Sequence, residues 1–82
     1  DFWAPWCGPC RSMAPVFAQA AAALRGRARL AKVNAEAEPQ LASQFAIRSI
    51  PTLIVFRSGR EVERMSGALD AHSLSEWINR WV

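Results

Sequence analysis

Two cysteines and one histidine are all that 82 residues provide, and that scarcity excludes several kinds of protein. A small secreted domain stapled by disulfides needs more bridges than one, so the core must be apolar instead. A tetrahedral zinc site takes about four Cys or His ligands; Cys7, Cys10 and His72 leave it one short, so no metal is expected. Nowhere does the chain carry the ~18 uninterrupted apolar residues of a membrane span, and no basic segment followed by an apolar stretch marks a secretion signal. No membrane association is expected. Repeats, linkers and low-complexity tracts are also lacking.

Acidic residues are in the minority, seven against ten Lys plus Arg, for a net charge of +3. The basic residues, all arginine except Lys32, are scattered apart from the cluster of Arg25, Arg27 and Arg29. A nucleic-acid surface would want a longer basic stripe interleaved with stacking aromatics, so the charges read as solvated surface, with no nucleic-acid partner. Hydrophobic residues make up 51% of the chain. That is enough for one domain over residues 1–82 and too little chain for two, since a domain this small buries only about 60 to 65% of its unfolded surface. The first residue is Asp1, set directly before an apolar run with no methionine, so the chain reads as cut from something longer.

What is present begins with Phe2, Trp3 and Ala4, the end of a buried strand, punctuated by Pro5, Gly8 and Pro9. A helix is expected from about Pro9 or Cys10, because proline fits a first helical turn where its missing N–H would be unpaired anyway. Met13, Val16, Phe17, Ala20 and Leu24 continue it at helical spacing, and Pro15 should kink it. Gly26 stops the helix, and Ala28 to Val33, "ARLAKV", reads as a short strand. Pro39 opens a second helix through about Phe45. Ile50 to Phe56, "IPTLIVF", is the strongest strand signal and predicts a central strand. Ser58-Gly59 joins it to a return arm, Glu61 to Ser66, ended or bulged by Gly67. Asp70 caps a last helix with Leu74, Trp77, Ile78 and Trp81 on one face and a Glu76–Arg80 pair on the other. His72 reads as surface. The order strand, helix, strand, helix, hairpin, helix predicts an α/β fold, a mixed sheet with helices on its faces.

Both cysteines fall in "FWAPWCGPC", with two residues between them, at a helix start. Such a pair could hold a metal, close a structural disulfide or cycle between dithiol and disulfide. The helix N-terminus presents unpaired N–H groups and the positive end of the helix dipole, which favour a negative charge on Cys7. A thiolate is the nucleophile of disulfide exchange, and Cys10, one turn deeper, is placed to attack a mixed disulfide on Cys7. Gly8 and Pro9 allow a short, stiff ring. Trp6, beside the exposed thiol, reads as a wall of the docking surface, and Trp3 as core.

"DFWAPWCGPC" resembles the active-site segment of the thioredoxin family, "RSIPTLIVFRSGREV" resembles the later segment that carries its cis-proline, and the similarity runs through "SGAL" to the last helix. The resemblance implies a thioredoxin-like fold and a protein disulfide reductase. It places Cys7, Cys10, Asp1, Lys32 and Pro51 in catalysis, and Trp6, Gly8, Pro9, Ile50, Gly67 and Ala68 in a shallow substrate-docking face. In that family the Ile50-Pro51 bond is cis. Asp1 matches the family's buried carboxylate, which shielding from water would incline to take a proton from Cys10; Lys32 matches the lysine near it.

The implied partners are protein disulfide substrates and a thioredoxin reductase, an NADPH-linked flavoprotein. No cofactor is implied beyond the Cys7–Cys10 disulfide, and the implied location is the cytoplasm. The wording is of the bacterial type, with some likeness to the thioredoxins that carry an N-terminal zinc-binding extension. Complete members begin with a strand and a helix that are absent before Asp1, which would leave "ARLAKV" as an open edge and predicts reduced stability or edge-strand self-association. An alternative is a protein-binding module with incidental cysteines.

Overall fold

Residues 1–82 are all described by a computed structural model of the chain. Strand β1 (Phe2–Trp3) leads into helix α1 (Gly8–Ala23), followed by β2 (Val33–Asn34), α2 (Pro39–Gln44), β3 (Thr52–Arg57), β4 (Arg60–Ser66) and α3 (Ala71–Asn79). The four strands form one mixed sheet in the order β2-β1-β3-β4. Only β1 and β2 run parallel; β3 is antiparallel to β1 and to β4. The strand predicted to be central is central.

Helix α1 follows from its sequence: Cys7 caps it, a proline occupies the first turn, and Leu24 closes it. Gly26, at φ +85°, then turns the chain away. Pro15 lies inside without ending the helix; the carbonyl it cannot pair belongs to Arg11, on the solvent side. The buried stripe of Met13, Phe17, Ala20 and Leu24 meets Leu74, Trp77 and Ile78 of α3 over Leu53 of β3, forming the main core. Each large side chain buried there contributes about 1.5–3 kcal/mol.

Alternation along β3 sends Leu53 and Val55 to that core, so Ile54 lies on the opposite face. On that second face Phe45, the C-cap of α2, packs against Phe2 and Phe56, with ring centroids 6.0 and 5.3 Å away. The hairpin turn has φ of +54° at Ser58 and +77° at Gly59, the type I′ pattern that matches strand twist. A register shift at Val55/Phe56 leaves Val62 as the extra residue of a β-bulge.

Two expectations change. The strand predicted over residues 28–33 is confined to Val33–Asn34, at the edge of the sheet. A strand needs a partner to bond, and β1 is two residues long; beside its short ladder with Val33–Asn34, the carbonyls of Asp1 and Trp3 accept from Val33 and Ala35 at 2.8 Å, and the nitrogen of Asp1 donates to Ala31. The Glu76–Arg80 pair does not form either. Arg80 reaches across to Glu63 of β4 at 3.4 Å, where the Trp81 indole also donates, and Glu76 sits 3.5 Å from His72, which is on the surface as expected.

Candidate active site

Cys7 and Cys10 are joined as a disulfide, with Cα atoms 5.2 Å apart. Helix α1 builds this arrangement. Cys7 is its N-cap, and the Cys10 backbone N–H donates to Cys7 Sγ at 3.2 Å. An N-cap side chain ordinarily accepts that bond through oxygen; here sulfur takes the role, so the donor that stabilises the helix start also stabilises negative charge on Cys7 once the bond is reduced. The other side of Cys7 is set by the segment entering β3. Its Sγ lies 3.8 Å from the Ile50 carbonyl oxygen, and the Ile50–Pro51 peptide bond is cis, as the family resemblance implies.

Pro51 is fully buried, and its carbonyl accepts the Gly67 N–H at 2.8 Å. Thr52 adds a second tie, its hydroxyl donating to the Ser49 carbonyl at 2.6 Å and lying 3.4 Å from Ser66 Oγ. Thus Gly67, at φ +99°, is fastened to the loop that touches the sulfur, and Ala68 follows it on the exposed surface. Gly8 and Pro9, between the two cysteines, are exposed. The predicted docking residues are therefore brought around one point by α1, the Ile50–Pro51 segment and the end of β4.

Cys7 differs from expectation. It is 5% exposed against 4% for Cys10, so the first cysteine is scarcely more open than the second. Ala4 and Cys10 pack around it, with Trp3 and Ile50 closing the cluster. An incoming disulfide has to align with this rim before it reaches sulfur.

Trp6 is 67% exposed, outside the core. Its orientation comes from a residue the sequence reading missed: the indole N–H donates to Glu36 Oε2 at 2.6 Å. Asn34 places Glu36, accepting the N–H groups of Glu36 and Ala37 at 3.0 and 3.2 Å in an Asx turn. The local signal was the asparagine two residues ahead of an acid, but the partner thirty positions away has no local signature. Arg11 holds the near side, donating to the Pro5 carbonyl at 3.1 Å. Beside Trp6 an open groove of about 610 Å³ runs past Glu36, Pro39, Ile47 and Ile50.

Asp1 and Lys32 lie at the β1–β2 end. The Lys32 ammonium sits over the Trp3 ring, 4.4 Å from its centroid, and Trp3 in turn packs against the cluster of Ala4, Cys7 and Cys10. Trp3, read as core, is half-buried. Asp1 Oδ1 is buried with no hydrogen-bond partner, an unusual condition for a carboxyl oxygen. No group of three or more His, Cys, Asp or Glu side chains converges anywhere, and no helix is long and apolar enough to cross a membrane.

The Thioredoxin family profile matches residues 1–80. Thioredoxin 1 of a Nostoc species is 48% identical over 80 residues, 98% of this chain and 75% of that protein. The thioredoxin of a Synechocystis species is 42% identical over 82 residues, covering 100% of this chain and 77% of its own length. Among solved structures, the germline-specific thioredoxin Deadhead of Drosophila melanogaster superposes with a TM-score of 0.93 at 30% identity, over 100% of this chain and 77% of that one. Sequence, sheet order and the capped dithiol agree: the chain belongs to the thioredoxin family and is a protein disulfide oxidoreductase acting through Cys7 and Cys10.

Proposed function

We propose that this chain works in the reducing direction, as one thioredoxin domain that takes electrons from a thioredoxin reductase and passes them to protein disulfides. The observation that carries the exchange chemistry is the Cys10 N–H on Cys7 Sγ at the mouth of α1, which makes Cys7 the nucleophile; the reducing direction is supported by the resemblance at Pro9, where reducing members of the family have proline. With both sulfurs reduced, the Cys7 thiolate attacks one sulfur of the substrate disulfide, forming a mixed disulfide while the other substrate sulfur leaves as thiolate. Cys10 then loses its proton and attacks Cys7 Sγ; the Cys7–Cys10 bond forms, the mixed disulfide breaks, and the second substrate thiolate departs. Two electrons have moved to the substrate, and the reductase restores the dithiol with no further cofactor.

In this reading Asp1 takes the Cys10 proton, and its buried, unpartnered oxygen supports that role; Lys32 biases the same end of the sheet electrostatically. Pro51 and Ile50 frame Cys7, while Trp6, Gly8, Pro9, Gly67 and Ala68 dock an extended stretch of substrate. The cytoplasm is the proposed location. Self-association through β2 is proposed as a side property, supported by the place of β2 at the edge of the sheet.

Reduction of insulin coupled to dithiothreitol or to a thioredoxin reductase tests the central claim. Cys7→Ser should abolish turnover, Cys10→Ser should accumulate a mixed disulfide, and Asp1→Asn should slow release about tenfold or more without abolishing it. Full activity in Cys7→Ser would discard the mechanism, and an unchanged rate in Asp1→Asn would discard the proton relay. Sedimentation that shows only monomer at high concentration would remove the edge association.

A further inference from the structure

The charges of this molecule are segregated. From Phe2 to Ala35 there are five basic residues and no acidic one, whereas the other positions carry five basic against seven acidic. The net +3 is therefore an excess on α1 and the segment after it. Two of the five basic residues are engaged: Arg11 with the Pro5 carbonyl and Lys32 with the Trp3 ring. Arg25, Arg27 and Arg29 take part in none of the three ion pairs of the molecule, nor in any side-chain hydrogen bond. All three border an open groove of about 760 Å³ floored by Ala18, Ala21, Ala22 and Leu30 and containing no acidic residue.

The groove runs along the last turns of α1 and its three arginines follow the C-terminal end of the helix, while Cys7 caps the other end. Sixteen helical residues at ~1.5 Å each place the two about 24 Å apart, in a molecule whose longest extent is 29 Å. Separation by several Debye lengths, each about 8 Å at physiological salt, prevents the arginines from tuning the thiols. Their effect must be capture. The helix terminus opposes an anion with only about half a negative charge, against three full positive charges.

We infer that the Arg25–Arg27–Arg29 groove is a second docking site, for a carboxylate-rich stretch of a partner protein whose disulfide is simultaneously presented to Cys7. Guanidinium forks pair with carboxylates bidentately, and the small alanine floor admits side chains. No aromatic residue lines the groove to stack a base, which disfavours single-stranded nucleic acid. About seven extended residues at ~3.4 Å span the distance to Cys7, so one segment can occupy both sites. The inference rests on the disulfide-reductase reading.

Two peptides with the same internal disulfide test it, each carrying a neutral spacer of about seven residues and ending in either a polyglutamate or a polyglutamine tail. With the wild-type chain at low salt, the glutamate peptide should show kcat/KM roughly tenfold higher. Raising salt, or replacing Arg25, Arg27 and Arg29 by Gln, should remove that advantage and leave the glutamine peptide unchanged, which also shows the variant folded. Arg29→Glu alone should reduce it in part. Equal rates for both tails in wild type, or an advantage that survives the triple replacement, overturns the site. Titration calorimetry with the glutamate tail alone is scored separately. Arginine-dependent binding without turnover of either peptide would uphold the groove and condemn the reductase reading. An oligonucleotide that displaces the tail and binds more tightly through the same arginines overturns the assigned partner.

Discussion

Replacing Gly67 by alanine adds one methyl group at a backbone φ of +99°. An ideal Cβ there meets nothing within 4 Å, so the cost is conformational, not a collision. A non-glycine residue in this region costs about 1–3 kcal/mol. Relaxing to a negative φ would instead sacrifice the Gly67 N–H bond to the Pro51 carbonyl at 2.8 Å, worth about 0.5–1.5 kcal/mol. The chain takes the cheaper route, which puts the loss near 1–1.5 kcal/mol, where the two ranges overlap. A domain of this length has roughly 4–12 kcal/mol of stability, so Gly67→Ala stays folded at room temperature and melts about 4–12 °C lower.

The functional consequence is separable from the stability loss. The same bond fastens Gly67 to the cis Ile50–Pro51 segment, whose carbonyl faces Cys7. Protein disulfides, which need that rim to dock, should lose about tenfold in kcat/KM, the equivalent of ~1.4 kcal/mol; a small aromatic disulfide should be reduced at nearly the wild-type rate. Gly59→Ala is the control. Gly59 has φ +77° and equally open space but sits at the hairpin tip, so it should lower the melting temperature and spare both rates. A Gly67→Ala melt within about 2 °C of wild type would refute the strain argument. A parallel loss on both substrates would refute the docking role.

Glu36→Ala should free the Trp6 indole and raise KM for protein disulfides about two- to tenfold, with a change in tryptophan emission, since an exposed charge-assisted bond is worth roughly 0.5–1.5 kcal/mol; Glu36→Gln, which keeps an acceptor, should recover most of it, and an unaltered KM in the alanine variant removes Glu36 from docking. Leu74, 1% exposed between α1 and β3, should cost about 2–5 kcal/mol when cut to alanine, visible as a large shift in a denaturant midpoint, while Ser75→Ala on the exposed face should shift it little. Backbone hydrogen bonding from Ser73 at the α3 N-terminus holds the Asp70 carboxyl below its ordinary 3.8. Its contribution is therefore complete above that value and lost as pH falls through the lower folded pKa, so Asp70→Ala should show a shallower fall of melting temperature in acid; identical acid limbs would contradict the cap.

Much of the fold was legible because its signals are local. The capped start of α1, the Gly26 stop, the Ser58-Gly59 turn and the Asp70 cap each act within a turn or two of the chain, and all appear where residue chemistry places them. The run from Ile50 to Phe56 was legible as a central strand because burial on both faces needs apolar residues at every position, which few other environments demand. Its polar exception, Thr52, carried information that the reading passed over: a buried hydroxyl must find partners, and the Ser49 carbonyl and Ser66 hydroxyl it found are what steady the loop beside Cys7.

What the sequence did not disclose depends on which of several eligible partners tertiary packing brings close. Arg80 could pair with Glu76 one turn away on its own helix, yet the approach of α3 to β4 offers Glu63, where the Trp81 indole converges too; an exposed helical pair worth about 0.3–0.5 kcal/mol is too weak to dictate the choice. Residues 28–32 have strand-forming composition, but a ladder is a property of two strands and their neighbour, β1, is only two residues long. The burial of Cys7 has the same origin. Its helix start was readable, whereas the wall that closes over it, Ile50, arrives from forty-three residues away. The chemistry of this site is thus written locally in Cys7 to Cys10, and its surroundings are written in contacts that the fold has to assemble: Glu36 on Trp6, Gly67 on Pro51, and Ile50 on the sulfur.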